Sequence, residues 1–492
     1  MTRTAPPPSV APPVAGKLSA RDRTVITVLL VAAFVVILNE TIMTVAIPVL
    51  MKDLSIDAST GQWLSTAFAL TLAVVIPVTG FLIQRMTTRQ LFLLSMGLFS
   101  AGTLTAGLSV GYPMLLLARI IQGCGTAVMI PLLMTTVITL VPESSRGRMM
   151  GNISVVISVA PALGPTISGL ILSVLDWRWI FWLVLPIALA AMALGGWLMT
   201  NVGETRKVRI DLISIPLAAL GFGGLVYGLN AVGEVASGAA SPAMIWVPVG
   251  VGAVTLTLFL LRQLVLQRTD RALLDLRPFK SRVFTFSVIA GAFAFLALLG
   301  SAILLPIYLQ NVLGVTPLVT GLLVLPGGVL MGVLGPVVGR LYDLHGPRAL
   351  LIPSSLIGTL ALVLLGTVTE ATPLWFVLGA HMLLSVGLAG VLTPLFTAGL
   401  SAVPERYTSY GSAIFATVQQ VGGAAGTALV VTLLAVQTAA GQAAGASTAV
   451  AAAGGVRVAF LVAAGVFLAL IVLSVFITRD EAAEPRAIPA HA

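Results

Sequence analysis

Glu40 is the only one of 17 acidic residues that lies well inside a long apolar stretch of this 492-residue chain. Arg119 sits inside a second such stretch and His381 inside a third. A charged side chain in hydrocarbon costs about 3 kcal/mol or more unless it is paired or hydrated. These groups must therefore face polar surroundings, where an acid near a base can take up and release a proton. Other chemistry is poorly provided for. The single cysteine, Cys124, excludes a disulfide framework or thiolate cluster, and three scattered histidines exclude a histidine-rich metal site. No nucleotide-binding loop, nucleophile motif or metal-ligand cluster is present, so no cofactor and no metal are expected. ATP-driven pumping within this chain is excluded, and a membrane enzyme or receptor is disfavoured.

The elements that must position these groups are membrane spans. Hydrophobic residues make up 58% of the chain and charged residues 9%, with a mean hydropathy of +1.07. Soluble proteins carry about 25% charged residues, so a soluble globule is excluded, and disordered chains are poor in apolar residues. An all-α polytopic membrane protein remains. A bilayer core of about 30 Å needs about 20 apolar residues per helix. Spans are expected near 24–50, 61–83, 91–110, 112–141, 149–175, 177–200, 211–232, 243–266, 283–310, 317–341, 349–368, 373–402, 408–436 and 456–478. At ~1.5 Å per residue, Glu40, Arg119, Gly164 and His381 fall about 10 to 16 Å below the outer ends of their spans.

The net charge of +9 would suggest nucleic acid in a soluble chain. Here the basic residues mark topology, and no nucleic-acid partner is expected. With the N-terminus inside, 22 of 26 Lys and Arg fall on the cytoplasmic side, three (Lys52, Arg178, Arg457) outside, and Arg119 within a span. Both termini are therefore expected in the cytoplasm. Residues 1–23, with five prolines in the first 13, read as a flexible tail rather than a signal peptide.

The chain also resembles itself. Gly80 to Arg89 aligns with Gly339 to Arg348 at an interval of 259, and Val141-Pro142-Glu143 with Val403-Pro404-Glu405 at 262. Two parallel six-helix bundles, 24–200 and 283–478, are expected, with a two-helix insertion at 211–266, a cytoplasmic loop at 267–282 and a tail at 479–492. Such halves with a site at their interface form a transporter plan. His381 lies near the repeat equivalent of Arg119.

Four motifs carry a resemblance to a known family. Arg119-Ile-Ile-Gln122-Gly123-Cys-Gly125 matches R-x-x-Q-G-x-G. Pro161, Gly164, Pro165 and Gly169 match a proline- and glycine-rich kink motif, in which prolines bend a helix and glycines admit a neighbour. Gly339, Asp343, Gly346 and Arg348 match G-x-x-x-D-x-x-G-x-R, whereas the first-half copy has Gln84 for the acid and Thr87 for the glycine. Asn39-Glu40-Thr41-Ile42 places the acid of the first span one residue, ~100° of helix, beyond its usual position. On these residues the chain resembles the major facilitator superfamily, in its fourteen-helix drug:proton antiporter branch, lincomycin-resistance-like. Trp177-Arg178-Trp179 is similar to that branch as well, although an interfacial aromatic anchor explains it.

The resemblance implies a proton-coupled multidrug exporter of the bacterial plasma membrane. Its partners would be protons, the lipid bilayer and lipophilic small-molecule drugs, cations among them. It assigns proton coupling to Arg119, joining Glu40 and His381, and a cytoplasmic gate to Gly339, Asp343, Gly346 and Arg348. Asn39, Gln122, Gln419 and Gln420 resemble a polar cavity face, and Met43, Phe68 and Phe415 offer an adaptable apolar wall. Export of one endogenous metabolite or self-made antibiotic is the alternative within transport.

Overall fold

The computed structural model describes residues 18–202, 205, 211–236 and 240–478. Among them lie fourteen helices long and apolar enough to cross a membrane, the number expected from the sequence. The first bundle comprises α1 (Ala20–Asp53), α2 (Ala58–Arg85), α3 (Thr88–Gly107), α4 (Tyr112–Leu140), α5 (Arg146–Val174) and α6 (Trp179–Leu198). There follow α7 (Ser214–Asn230), the short α8 (Val232–Ala236) and α9 (Ala243–Leu266). The second bundle comprises α10 (Arg282–Ile307), α11 (Pro317–His345), α12 (Arg348–Leu365), α13 (Leu374–Ser401), α14 (Thr408–Ala443) and α15 (Thr448–Ser474).

In hydrocarbon every backbone polar group must be satisfied within the protein, which leaves the helix as the only open-ended spanning element. Ser19, Asp57, Thr87, Ser281, Thr316 and Ser447 cap their helices by accepting from the N–H three residues on. Thr87, which replaces a motif glycine, makes a full capping box with Gln90. Some boundaries move. The expected tail ends early, since Arg21 already belongs to α1, while residues 1–17 and 479–492 and the basic Arg206, Lys207 and Arg209 lie outside the described residues. Helix α14 runs to Ala443 and α15 begins at Thr448, so Arg457 sits within α15 rather than in an outer loop.

The two bundles pair their helices alike. Helix α1 packs on α5 and α6 as α10 packs on α14 and α15, and α4 packs on α3 and α2 as α13 packs on α12 and α11. The bundles meet along two seams, α5 against α11 and α2 against α14. Helix α7 lies over the second seam and carries α9 on its far side.

The α5–α11 seam is tight only on its cytoplasmic half. A Cβ on Gly335 would lie 2.5 Å from the Gly151 carbonyl, and one on Gly328 would lie 2.6 Å from Ala162. Two turns further out on the same faces, Gly169 and Gly321 have no such neighbour within 4 Å. The helices therefore part toward the outer side.

A cytoplasmic staple holds the inserted pair. Arg262 of α9 donates to both oxygens of Asp211, at 2.7 and 2.8 Å. Gln263 donates to Ser214 at 2.7 Å and accepts from the Leu273 N–H at 2.7 Å. This draws Ala272, Leu273 and Leu274 into the core, where Tyr410 of α14 donates to the Ala272 carbonyl at 3.3 Å. The Arg262 hydrogen bond holds the Asp211 carboxyl down at about 2, against ~3.9 in an unfolded chain. Its stabilisation is present in full above ~3.9 and disappears as pH falls through the folded value. Asp211→Asn should lower the melting temperature of detergent-solubilised protein at pH 7, and the difference from wild type should shrink as pH approaches 2. A difference independent of pH would contradict the ionic staple.

Candidate functional site

Arg119 is 1% exposed, at the centre of the first bundle. Its Nε donates to the Leu64 carbonyl at 3.3 Å, and its NH1 donates to Gln122 Oε1 at 2.9 Å and Asn39 Oδ1 at 3.5 Å. The guanidinium lies 4.1 Å over the Phe68 ring, a cation–π contact. Gln122 in turn donates to Thr103 at 2.9 Å. Glycines make the cluster possible. A Cβ on Gly102 would lie 2.6 Å from the Gln122 nitrogen, and one on Gly125 would lie 2.7 Å from the Phe99 nitrogen. Among the described residues no carboxylate lies within 4 Å of Arg119. The buried cation rests on neutral acceptors and an aromatic face.

Glu40 follows Asn39 directly and is half-buried. Val31 and Val49, nine residues to either side, are 48% and 40% exposed. Nine residues turn a helix through about 900°, so Glu40 stands on the opposite face of α1. Glu40 thus faces the interior. Its neighbour Thr41 meets α5 at Gly164, and Ile47, two turns on, lies 3.4 Å from where a Gly61 Cβ of α2 would be.

The other expected site residues divide. Asn39 and Gln122 belong to the Arg119 cluster, and the Nδ2 of Asn39 is buried without a partner. Phe68 is 2% exposed beneath Arg119, and Met43 is 1% exposed among Trp177, Ile180 and Phe181. Phe415, 2% exposed, packs on Phe284 and Phe396. All three are buried against neighbouring helices in this arrangement. Gln419 and Gln420 of α14 are half-buried. His381 turns away from the Arg119 cluster toward α11, with Nε2 3.3 Å from the Val324 carbonyl. In the kink motif, α5 is one helix through Pro161 and Pro165, Gly164 admits α1, and Gly169 faces open space.

Of the four residues expected to gate the cytoplasmic side, Gly339 and Asp343 meet α5 across the seam. Asp343 accepts from the Gly147 and Arg148 N–H groups at 2.8 and 2.9 Å, capping the N-terminus of α5 across the seam. Gly339 brings α11 onto Gly147. Gly346, at φ +76°, ends α11 in a conformation that favours glycine. Arg348 donates to the Val475 carbonyl. At the other seam Gln84 donates to the Arg406 carbonyl at 3.1 Å and to Ser409 at 3.2 Å, a neutral counterpart.

One contact went unseen in the sequence. Trp177 is 1% exposed and donates to Asp53 at 2.7 Å, while Arg178 lies 4.2 Å over its ring. It is a buried tie between the outer ends of α1 and α6 rather than the interfacial anchor expected. An acid at the outer end of the first span was the available signal.

Buried charge, paired bundles and a seam tight on one half only make the plan of a membrane transporter. The sequence profile of the Major Facilitator Superfamily matches residues 29–427, and the chain belongs to that family. It is 40% identical over 434 residues to the lincomycin resistance protein LmrB of Listeria monocytogenes, covering 88% of this chain and 90% of that protein. It is 39% identical over 415 residues to the MFS-type transporter YcnB of Bacillus subtilis, covering 84% and 87%. Its fold matches the human organic anion transporter MFSD10 with a TM-score of 0.67 at 15% identity, over 93% of this chain and 100% of that one. The protein is a transporter rather than an enzyme, a multi-pass protein of the bacterial plasma membrane.

Arg119→Ala would leave Gln122 Oε1 without its donor and should cost on the order of 3 kcal/mol, read as a lower melting temperature in detergent. Arg119→Lys should fall between, since an ammonium cannot serve three acceptors from one plane. Equal melting temperatures for all three proteins would contradict the cluster described.

Proposed function

We propose that the protein is a secondary active exporter of lipophilic small-molecule drugs, working by proton:drug antiport and alternating access. The observation that carries this reading is Glu40, an acid on the interior face of α1 and adjacent to the residue that holds the buried guanidinium. The relatives named for lincomycin resistance support drugs as the cargo. The parted outer half of the α5–α11 seam supports an outward-facing state in which Glu40 takes up a proton. Closure of that side and release of the Asp343 cap would expose the same carboxyl to the cytoplasm. Proton and drug then compete for one site, and competition couples their movements by linkage.

The magnitudes permit uphill export. One charge crossing 100 mV supplies ~2.3 kcal/mol, one pH unit ~1.4 kcal/mol, and a tenfold gradient costs about 1.4 kcal/mol. One proton could hold a gradient of a few hundredfold for a neutral drug. A monovalent cation exchanged for one proton moves no net charge, so only the pH difference drives it.

Efflux of ethidium and of lincomycin from energised cells should stop with a protonophore. In proteoliposomes, collapse of the pH difference alone should suffice to halt ethidium. Glu40→Gln should lose uphill transport yet retain drug exchange down a gradient. Drug accumulation at the wild-type level by that variant would exclude Glu40 as the coupling acid, and drug movement without proton movement in wild type would exclude antiport.

A further inference from the structure

Two hydrogen bonds between hydroxyl groups join the bundles beneath the level of Glu40. Thr135 of α4 meets Ser412 of α14 at 2.7 Å, and Thr393 of α13 meets Ser154 of α5 at 2.6 Å. The interval from Thr135 to Thr393 is 258 residues, and so is that from Ser154 to Ser412. Helices α4 and α13 hold corresponding places in the two bundles, as do α5 and α14. The two bonds are therefore one contact made twice, with the bundles exchanging roles.

The correspondence extends to the direction of each bond. Ser154 lies 3.1 Å from the Met150 carbonyl of its own helix, and Ser412 lies 3.0 Å from the Ser409 carbonyl of its own. A hydroxyl has one proton to donate. With each serine donating backward, the threonine is the donor across the seam in both copies. The threonines are themselves positioned alike. Thr139 donates to the Thr135 carbonyl at 2.9 Å, and Thr397 donates to the Thr393 carbonyl at 2.8 Å, again 258 residues apart. Counting along the helices at ~1.5 Å per residue, the four hydroxyls lie about 6 to 12 Å from the cytoplasmic ends. That is between the Asp343 cap and the layer of Glu40.

We propose that Thr135–Ser412 and Thr393–Ser154 are paired bolts of an inner gate, which form together when the cytoplasmic side closes and break together when it opens to drug. The proposal rests on the alternating-access reading given above. Both bolts are uncharged and each bridges opposite bundles, so neither survives separation of the cytoplasmic halves. When a bolt breaks, the threonine hydroxyl donates its hydrogen bond to water entering from the cytoplasm instead. A hydroxyl loses little when its partner is replaced by water, and that lets the gate open without stranding a charge.

The test uses full-length protein carrying Cys124→Ala, with Thr135→Cys and Ser412→Cys in one variant and Ser154→Cys and Thr393→Cys in another. Oxidation should cross-link each pair in drug-free protein and reduce ethidium efflux at least tenfold, and reduction should restore it. In the cross-linked protein a cysteine placed at Gly169 should remain reactive to an impermeant maleimide from outside. Thr135→Ala and Thr393→Ala, each made singly together with Cys124→Ala and Gln84→Cys, should each raise maleimide labelling at position 84 from the cytoplasmic side, by similar factors. Absence of cross-linking, transport at the unlinked rate by the cross-linked protein, or an effect from only one threonine would overturn the paired gate. Unlinked protein that moves ethidium independently of protons would instead overturn antiport and leave the gate standing.

Discussion

A guanidinium within the span of a bilayer has nowhere to place its charge except on oxygens and aromatic faces supplied by the protein. Arg119 meets that demand with the Leu64 carbonyl, Gln122, Asn39 and the Phe68 ring. Helices α1, α2 and α4 must stand close enough for those groups to converge, α3 joins them through Thr103, which accepts from Gln122, and Gly102, Gly123 and Gly125 remove the side chains that would keep them apart. The cation is satisfied without a close carboxylate. The acid of α1, Glu40, makes no close ion pair with it among the described residues, and the proposed exchange of its proton rests on that.

The same economy governs the seams between the bundles. Helix α5 meets α11 through glycines and small residues on the cytoplasmic half and parts from it beyond Gly328. The contacts that close this side are individually modest: an aspartate on two backbone N–H groups, a glutamine amide, and two hydroxyl pairs. A seal made of several weak bonds can open at small cost in each, whereas a large ionic lock in low dielectric would hold one state. The insertion works differently. Asp211 and Arg262 join its two helices by charge-assisted bonds, Gln263 ties it to the cytoplasmic loop by accepting from the Leu273 N–H, and α7 lies over the α2–α14 seam. That leaves the two seams unlike in their surroundings although alike in their helices.

Much of the architecture was legible in the sequence because membrane physics writes it in composition. Scarcity of charge set the number of spans, and the arginines of the loops set their orientation. Glu40 and Arg119 stood out for the same reason, since an ionisable residue in a span is rare enough to notice. What stayed hidden depends on which neighbour each face meets. Met43, Phe68 and Phe415 look like a cavity wall by type, yet other helices cover them. Trp177 looks like an interfacial anchor until Asp53 is seen beneath it. Serine and threonine are common in spans and bond to their own helix, so the hydroxyl pairs carried no signal until the fold brought the two copies together. Gln84 and Thr87, departures from a motif, proved to be a neutral latch and a helix cap.

The central claim is that one carboxyl, Glu40, gives up its proton when drug occupies the site. Proton release on drug binding can be followed directly, by adding ethidium to detergent-solubilised protein in weakly buffered solution and recording the pH change. The account expects close to one proton per chain bound from wild type and none from Glu40→Gln at saturating drug. Equal release from both proteins, or none from wild type across the pH range in which it transports, would contradict it.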